Sequence, residues 1–351
     1  MAKHLFHVEK RMISVGDHSI RLLILRPRNL GKERPAGVLW VHGGGYQSGS
    51  AKDVFATRAL SLVVKFGAIL VSPDYRLSKK HPYPAALQDC YAALLYMKEH
   101  AEEIGFRPDQ LMVGGESAGG GMAAALCMLA HDRHEVNIAF QIPLYPMLDD
   151  RDTPSSADNH APNWNTKRNH KAWKRYLREA WGTDLVSCYA APARRTDYHG
   201  LPPCYTFVGD IEPFYCETVD YVRHLQESGV EAELDVYPGW FHAYDLFFPA
   251  KKVVREGSPD LRSTSPMLRP TISPLRISPE TAGLLICRNI RSLCLCASPC
   301  VPTGSVDAFI LTFNKSTSLS TAIAALQMPL PLGGGVVDSS PWGCYTLNEM
   351  M

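Results

Sequence analysis

Up to about residue 250, the chain alternates short, near-continuous apolar runs with longer stretches in which apolar residues recur every three or four positions. The first kind reads as buried strands, the second as amphipathic helices. Strands are expected at Arg11–Val15, Ile20–Leu25, Val38–Val41, Ala68–Val71, Leu111–Val113, Ile138–Leu144, Cys204–Val208 and Ala232–Tyr237. Helices are expected at Val54–Phe66, Pro84–His100, Met122–Ala130 and Pro213–Ser228. A strand that is apolar along its whole length must be covered on both faces. The alternation therefore predicts an α/β fold, a mostly parallel sheet with helices on either side.

Two stretches break the rhythm. From Asp149 the chain runs polar and irregular (DDRDTPSSADNHAPNWN), then turns helical. Trp173, Tyr176, Leu177, Ala180 and Trp181 fall at i, i+3, i+4, i+7 and i+8, which makes one face apolar and aromatic. Lys167, Arg168, Lys171, Lys174, Arg175 and Arg178 read as its solvated face. An inserted helical piece over about residues 150–203 is a natural lid for a site at the C-terminal edge of the strands. After Gly257 the pattern changes again. Residues 258–351 hold only 11 charged residues in 94, with 13 serines and 10 prolines, and no period persists. This tail is expected not to be a domain, and its junction reads as a shifted reading frame or a fusion.

Charge and cysteine usage narrow the function. A formal net charge of +1 excludes an electrostatic reading toward nucleic acid or an anionic membrane surface. The N-terminus, MAKHLFHVEKRMISV, has no uninterrupted apolar core like that of a signal peptide, and no stretch approaches the ~18 apolar residues of a spanning helix. Residues 1–257 carry five dispersed cysteines (Cys90, Cys127, Cys188, Cys204, Cys216), which is no disulfide framework. Cys294, Cys296 and Cys300 in the tail lack zinc-ribbon spacing and neighbouring histidines, so no metal is expected. A soluble, cytoplasmic protein follows from these features as an expectation.

The chemistry concentrates in two glycine-rich strings. Gly115-Glu116-Ser117-Ala118-Gly119 lies between a predicted strand and a predicted helix, where a strained turn lifts a serine hydroxyl clear of the backbone. His42-Gly43-Gly44-Gly45 follows another strand and can offer backbone N–H groups to an oxyanion. Gly44, Gly45 and Ala118 are the candidate donors. A serine hydroxyl needs a histidine base oriented by a carboxylate, supplied along the chain in the order serine, acid, histidine. His242, at the end of the last predicted strand, is the candidate base, since His224 falls within a helix. Asp210 and Glu212 both stand at the preceding strand end. The one that is not the acid is expected to cap the helix that begins near Pro213.

These strings, together with DYRLSKKHPYPAAL at 74–87, GESAGGG at 115–121, GDIEPFYCET at 209–218 and YPGWFHAYD at 237–245, resemble the hormone-sensitive-lipase-like esterases of the α/β-hydrolase fold. The resemblance spans about residues 5–255. It implies a hydrolase domain over residues 1–257 that cleaves small, short-acyl carboxylic esters through an acyl-enzyme, without cofactor or metal. Ser117 matches the nucleophile and His242 the base of that family. Its acid directly precedes a proline, which points to Glu212, and Asp74 to Leu77 match a string that orders the loop beneath the site. The family's lid often draws on an N-terminal helical extension, and this chain has too few residues before His42 to supply one. The lid would then come mainly from residues 150–200, with Trp164 and Trp240 as walls of an acyl pocket. A non-catalytic small-ligand receptor on the same fold is the alternative, and the presence of His242 argues against it. An amidase or peptidase using the same three residues is the other. No oligomeric state follows from the sequence.

Overall fold

The apolar runs become strands that give side chains to two cores at once. In the computed structural model, which describes residues 4–29 and 34–247, eight strands form one sheet. They are β1 (Phe6–Val15), β2 (His18–Pro27), β3 (Gly37–Val41), β4 (Ile69–Pro73), β5 (Leu111–Glu116), β6 (Phe140–Leu144), β7 (Cys204–Gly209) and β8 (Ala232–Tyr237). Their order across the sheet is β1-β2-β4-β3-β5-β6-β7-β8. β1 and β2 pair antiparallel with each other, β2 pairs antiparallel with β4, and every remaining pair is parallel.

The helices are α1 (Ala59–Phe66), α2 (Ala85–Glu99), α3 (Ala101–Ile104), α4 (Ala118–Arg133), α5 (Thr166–Leu177), α6 (Tyr215–Glu227) and α7 (Tyr244–Phe247). Alternation along β2 shows how the two faces divide. Leu22 and Ile24 join Leu39, Val71 and Val113 in a core with Cys90, Leu94 and Met97 of α2 and Met122 and Leu126 of α4. Leu23 and Leu25 join Val38, Trp40, Leu70 and Met112 in a second core with Leu62 and Val63 of α1 and with Tyr244 of α7. Fully burying a Leu, Ile or Val side chain contributes roughly 1.5–3 kcal/mol, so both layers of helix stabilise the sheet.

α4 is buried from Ala118 to Ala130 and has no solvated stripe over that span. Its N-terminus approaches the sheet backbone closely, and a Cβ on Gly119 would stand 2.1 Å from the Val41 carbonyl oxygen. Only glycine fits there.

Three expected elements differ in detail. The helix over Val54–Phe66 is two pieces, a 3-10 turn at Ala51–Phe55 and α1. The turn is pinned at its start by Asp74, whose Oδ1 accepts the Ala51 N–H at 2.7 Å. It closes where Ala56 N–H donates to Asp53 O at 2.9 Å. The hairpin β1–β2 runs longer than its apolar core because β1 is an edge strand with Glu9 and Arg11 on its polar side; Glu9 pairs with Arg26, and Arg11 meets Glu103 at 2.6 Å. The apolar stripe of α5 ends at Leu177, since Arg178 takes a φ of +55°. Ala180 and Trp181 still pack against the core from the 3-10 turn and the residue beyond it.

α5 lies between β6 and β7 in the chain. Its Trp173 and Tyr176 are buried, with Tyr176 stacked on Tyr46 at a centroid distance of 4.0 Å. The inserted segment is thereby fastened to the loop that carries Gly43–Gly45. Among the described residues, no helix is long and apolar enough to cross a membrane. The tail after Gly257 lies outside the described residues.

Candidate active site

Four strand ends on the C-terminal edge of the parallel sheet supply the site, the place where open α/β sheets bind ligands. Ser117 follows β5 directly, His42–Gly45 follow β3, Glu212 lies three residues past β7 and His242 five past β8. The serine adopts φ +59° and ψ −122°, a strained conformation for a residue with a side chain. It is held there by its own backbone. Its N–H donates to Leu144 O, and its carbonyl accepts from Gly121 N–H and Met147 N–H, each at 3.0 Å.

The side chains of the three strand-end residues meet. Ser117 Oγ and His242 Nε2 are 2.8 Å apart, and His242 Nδ1 is hydrogen-bonded to Glu212 Oε2. The other Glu212 oxygen accepts the Gly209 N–H at 2.9 Å. Glu212 is wholly buried, and Ser117 keeps 7% of its surface exposed. With a carboxylate on Nδ1, the ring's proton belongs on that nitrogen, and the Nε2 lone pair faces the serine hydroxyl. This arrangement can take a proton from Ser117 as its oxygen attacks.

Asp210, the other candidate acid, is turned away. Its Oδ1 accepts the Gly239 N–H at 2.6 Å and so ties the acid loop to the base loop. Neither acid caps α6, which begins at Tyr215 after an N-cap at Phe214. That expected capping role is replaced by the Asp210 tie, because the turn 209–214 folds Glu212 inward.

The glycine loop runs against the nucleophile. A Cβ on Gly43 would lie 3.3 Å from Ser117 Cβ and 2.9 Å from the Glu116 carbonyl. Gly44 has φ +103°, and its carbonyl accepts from Gln47 N–H and Ser48 N–H, each at 3.1 Å. The backbone N–H groups of Gly44, Gly45 and Ala118 donate to no other group among the described residues. Beneath this loop Tyr75 stacks on His42 at 4.1 Å and donates its hydroxyl to His42 O at 3.0 Å. Burial lowers the pKa of His42 and keeps its ring neutral. Asp74 holds Arg21 at 2.6 Å as well as Ala51, and Arg76 forks onto Asp89. These contacts show how the 74–77 string braces the loop.

Glu116, beside the nucleophile in sequence, points into the core beneath the turn. Trp40 Nε1–H donates to it at 2.8 Å, and burial pushes its carboxyl up to about 8, so it is neutral at ordinary pH.

Aromatic rings surround His242. Phe214 and Tyr145 stand edge-on at 4.9 and 5.1 Å, and Trp164 lies at 6.1 Å. Trp164 also covers the glycine loop, since a Cβ on Gly45 would come within 2.6 Å of its indole. Trp240 packs its ring on Tyr244 at 4.6 Å, half-buried against the core that contains Tyr237 and Phe207. Phe214 and Tyr145 were not singled out in the sequence. Phe214 directly follows the Glu212-Pro213 pair, and Tyr145 sits between Leu144 and Pro146 at the end of β6. Those positions were the available signals.

Residues 38–246 match a family described as having the alpha/beta hydrolase fold. The chain belongs to that family. Esterase LipI of Mycobacterium tuberculosis is 36% identical over 211 residues, covering 59% of this chain and 65% of that protein. Carboxylesterase NlhH of the same species is 33% identical over 220 residues, covering 60% of this chain and 66% of that protein. The chain thus spans slightly less than two thirds of the length of these two relatives. Among solved structures, a bacterial heroin esterase superposes with a TM-score of 0.72 at 34% identity, covering 77% of this chain and 86% of that one. As an alpha/beta hydrolase, the chain carries the parallel part of its sheet, its glycine loop and its serine turn within the matched span, and β1 and β2 precede it.

Proposed function

We propose that this alpha/beta hydrolase is a serine carboxylesterase acting on small, short-acyl esters through an acyl-enzyme. The single observation behind this reading is the 2.8 Å contact between Ser117 Oγ and His242 Nε2, with Glu212 on the far side of the ring. In this reading, Ser117 attacks the ester carbonyl as His242 takes its proton. The C–O π electrons move onto oxygen, and the N–H groups of Gly44, Gly45 and Ala118 receive that oxyanion. The oxyanion then re-forms the carbonyl, the C–O bond to the alcohol breaks as His242 gives the leaving oxygen its proton, and the acyl group stays on Ser117. Water in the alcohol's place then attacks the acyl carbon as His242 takes its proton, and the bond to Ser117 breaks as His242 returns the proton to Oγ and the acid leaves. Glu212 stays on Nδ1 and steadies the imidazolium at each stage.

Trp164, lying over Gly45, closes the acyl side of the pocket and sets the short-chain preference. Trp240, seated on Tyr244 beside the His242 loop, is the second wall of the acyl pocket. The hydrolase domain covers residues 1–257, with the lid at about 150–203. The relatives LipI, NlhH and the heroin esterase are esterases by name, which supports this choice of chemistry.

The test is hydrolysis of p-nitrophenyl esters from acetate to decanoate by the full chain and its Ser117→Ala variant. Turnover on acetate and butyrate that vanishes in the variant is expected. Equal turnover by both proteins, or activity only on the longest chains, refutes the proposal.

A further inference from the structure

Ser155, Asn159 and Asn163, all on the polar stretch that leads into α5, reach across to the two loops that carry the acid and the base. Asn159 Nδ2–H donates to Ile211 O at 3.0 Å, and Ser155 Oγ–H donates to Pro213 O at 2.6 Å. These are the carbonyls immediately before and after Glu212. Asn163 Nδ2–H donates to His242 O at 2.9 Å, the carbonyl of the base itself. Ser155 Oγ also accepts the Cys216 N–H at 3.0 Å at the start of α6.

The segment making these contacts is rigid by its own bonds. Thr166 Oγ1 accepts Asn159 N–H and donates to Ser156 O, each at 2.6 Å, and Thr153 N–H donates to Ser156 Oγ at 2.8 Å. Asn163 holds φ +67°, a left-handed conformation that asparagine tolerates better than most residues, and Arg168 bonds its carbonyl. A loop with these internal ties transmits its position to whatever it holds.

We propose that this strap is a template that fixes Glu212 and His242 relative to each other, with Asn163 as a positioning residue for the base. The proposal rests on the esterase reading for its kinetic consequence and on geometry alone for its structural one. Three side chains on one short segment fasten residues 211, 213 and 242. The acid and base loops come from different strands, and the strap gives them a common anchor outside the sheet. Because the strap continues through Asn165, the N-cap of α5, lid position and acid–base alignment are a single degree of freedom. Displacing the lid moves His242.

Two substitutions isolate the Asn163 contact. Asn163→Asp keeps the shape and removes the donor, while Asn163→Gly keeps the left-handed backbone and removes the side chain. Two readouts are taken on each full-length variant. One is kcat and KM on p-nitrophenyl acetate. The other is the downfield proton resonance of the His242 Nδ1–H in protein labelled with ¹⁵N-histidine, which needs no turnover.

Both variants are expected to lose about tenfold or more in kcat with KM within about twofold, as misplacement of a reacting group does. The resonance is expected to shift or broaden in both, while the melting temperature stays near that of the parent chain. An unmoved resonance overturns the proposal, as does a change confined to KM. If the parent chain hydrolyses nothing yet the resonance moves in the variants, the template stands and the esterase reading falls.

Discussion

Adding one methyl group to the glycine loop at Gly44 should remove most of the activity. At Gly44 a Cβ would stand 2.2 Å from the Ser48 carbonyl oxygen and 2.8 Å from its carbon, where ordinary contacts begin at 3.4 Å. The obstacle is backbone, so no side-chain rotation relieves it. The φ of +103° adds strain of roughly 1–3 kcal/mol for any residue with a Cβ. The loop must therefore turn by several tenths of an ångström, and the Gly44 and Gly45 N–H groups turn with it. Losing one aligned donor to an oxyanion costs roughly 3–4 kcal/mol, or 10²–10³ in kcat.

The assay for Gly44→Ala is initial-rate hydrolysis of p-nitrophenyl acetate beside a thermal melt of the same preparation. A hundredfold or greater fall in kcat is expected from protein that still melts cooperatively. The Ser117–His242–Glu212 contacts do not pass through Gly44, so an ordered acid–base pair should persist. A variant that keeps kcat within about threefold would refute the assignment of this loop to the oxyanion.

Two further outcomes follow from particular side chains. Glu116 is held up to about 8 by burial against an ordinary value of 4.5, so between those pH values the unfolded chain gives up a proton that the folded chain keeps. Stability must then fall as pH rises through that window, by several kcal/mol in all. Glu116→Gln should flatten the dependence of melting temperature on pH between 5 and 8, and parallel slopes for the two proteins would contradict it. Trp164→Ala should open the space above Gly45 and raise the hexanoate-to-acetate ratio of kcat/KM by roughly tenfold or more, the usual worth of added room in an apolar pocket. An unchanged ratio would remove Trp164 from the acyl wall.

What the sequence determined by itself was everything governed by local repetition and backbone rules. Runs such as Val38–Val41 and Ile69–Val71 are apolar without interruption, and a strand of that kind is stable only when covered on both sides. The sheet and its helices follow. The serine turn and the glycine loop were legible because their chemistry demands special backbone angles, which leave glycines at fixed spacing around Ser117 and after His42.

Only the tertiary structure could decide between Asp210 and Glu212 on physical grounds. The two lie two residues apart at one strand end, and the turn alone determines which carboxylate reaches His242 and which captures Gly239 N–H. The separation of the 3-10 turn from α1 was hidden for the same kind of reason, since Asp74, just past β4, pins the start of that turn at Ala51. Trp164 and Trp240 were equivalent as aromatic residues on loops. One covers the glycine loop and the other sits on Tyr244 because their surroundings differ, and no local pattern carries that information. Ser155, Asn159 and Asn163 were invisible for a deeper reason. A side chain that bonds a distant carbonyl leaves no period and no motif, and its meaning exists only once residues 211, 213 and 242 have been brought beside it.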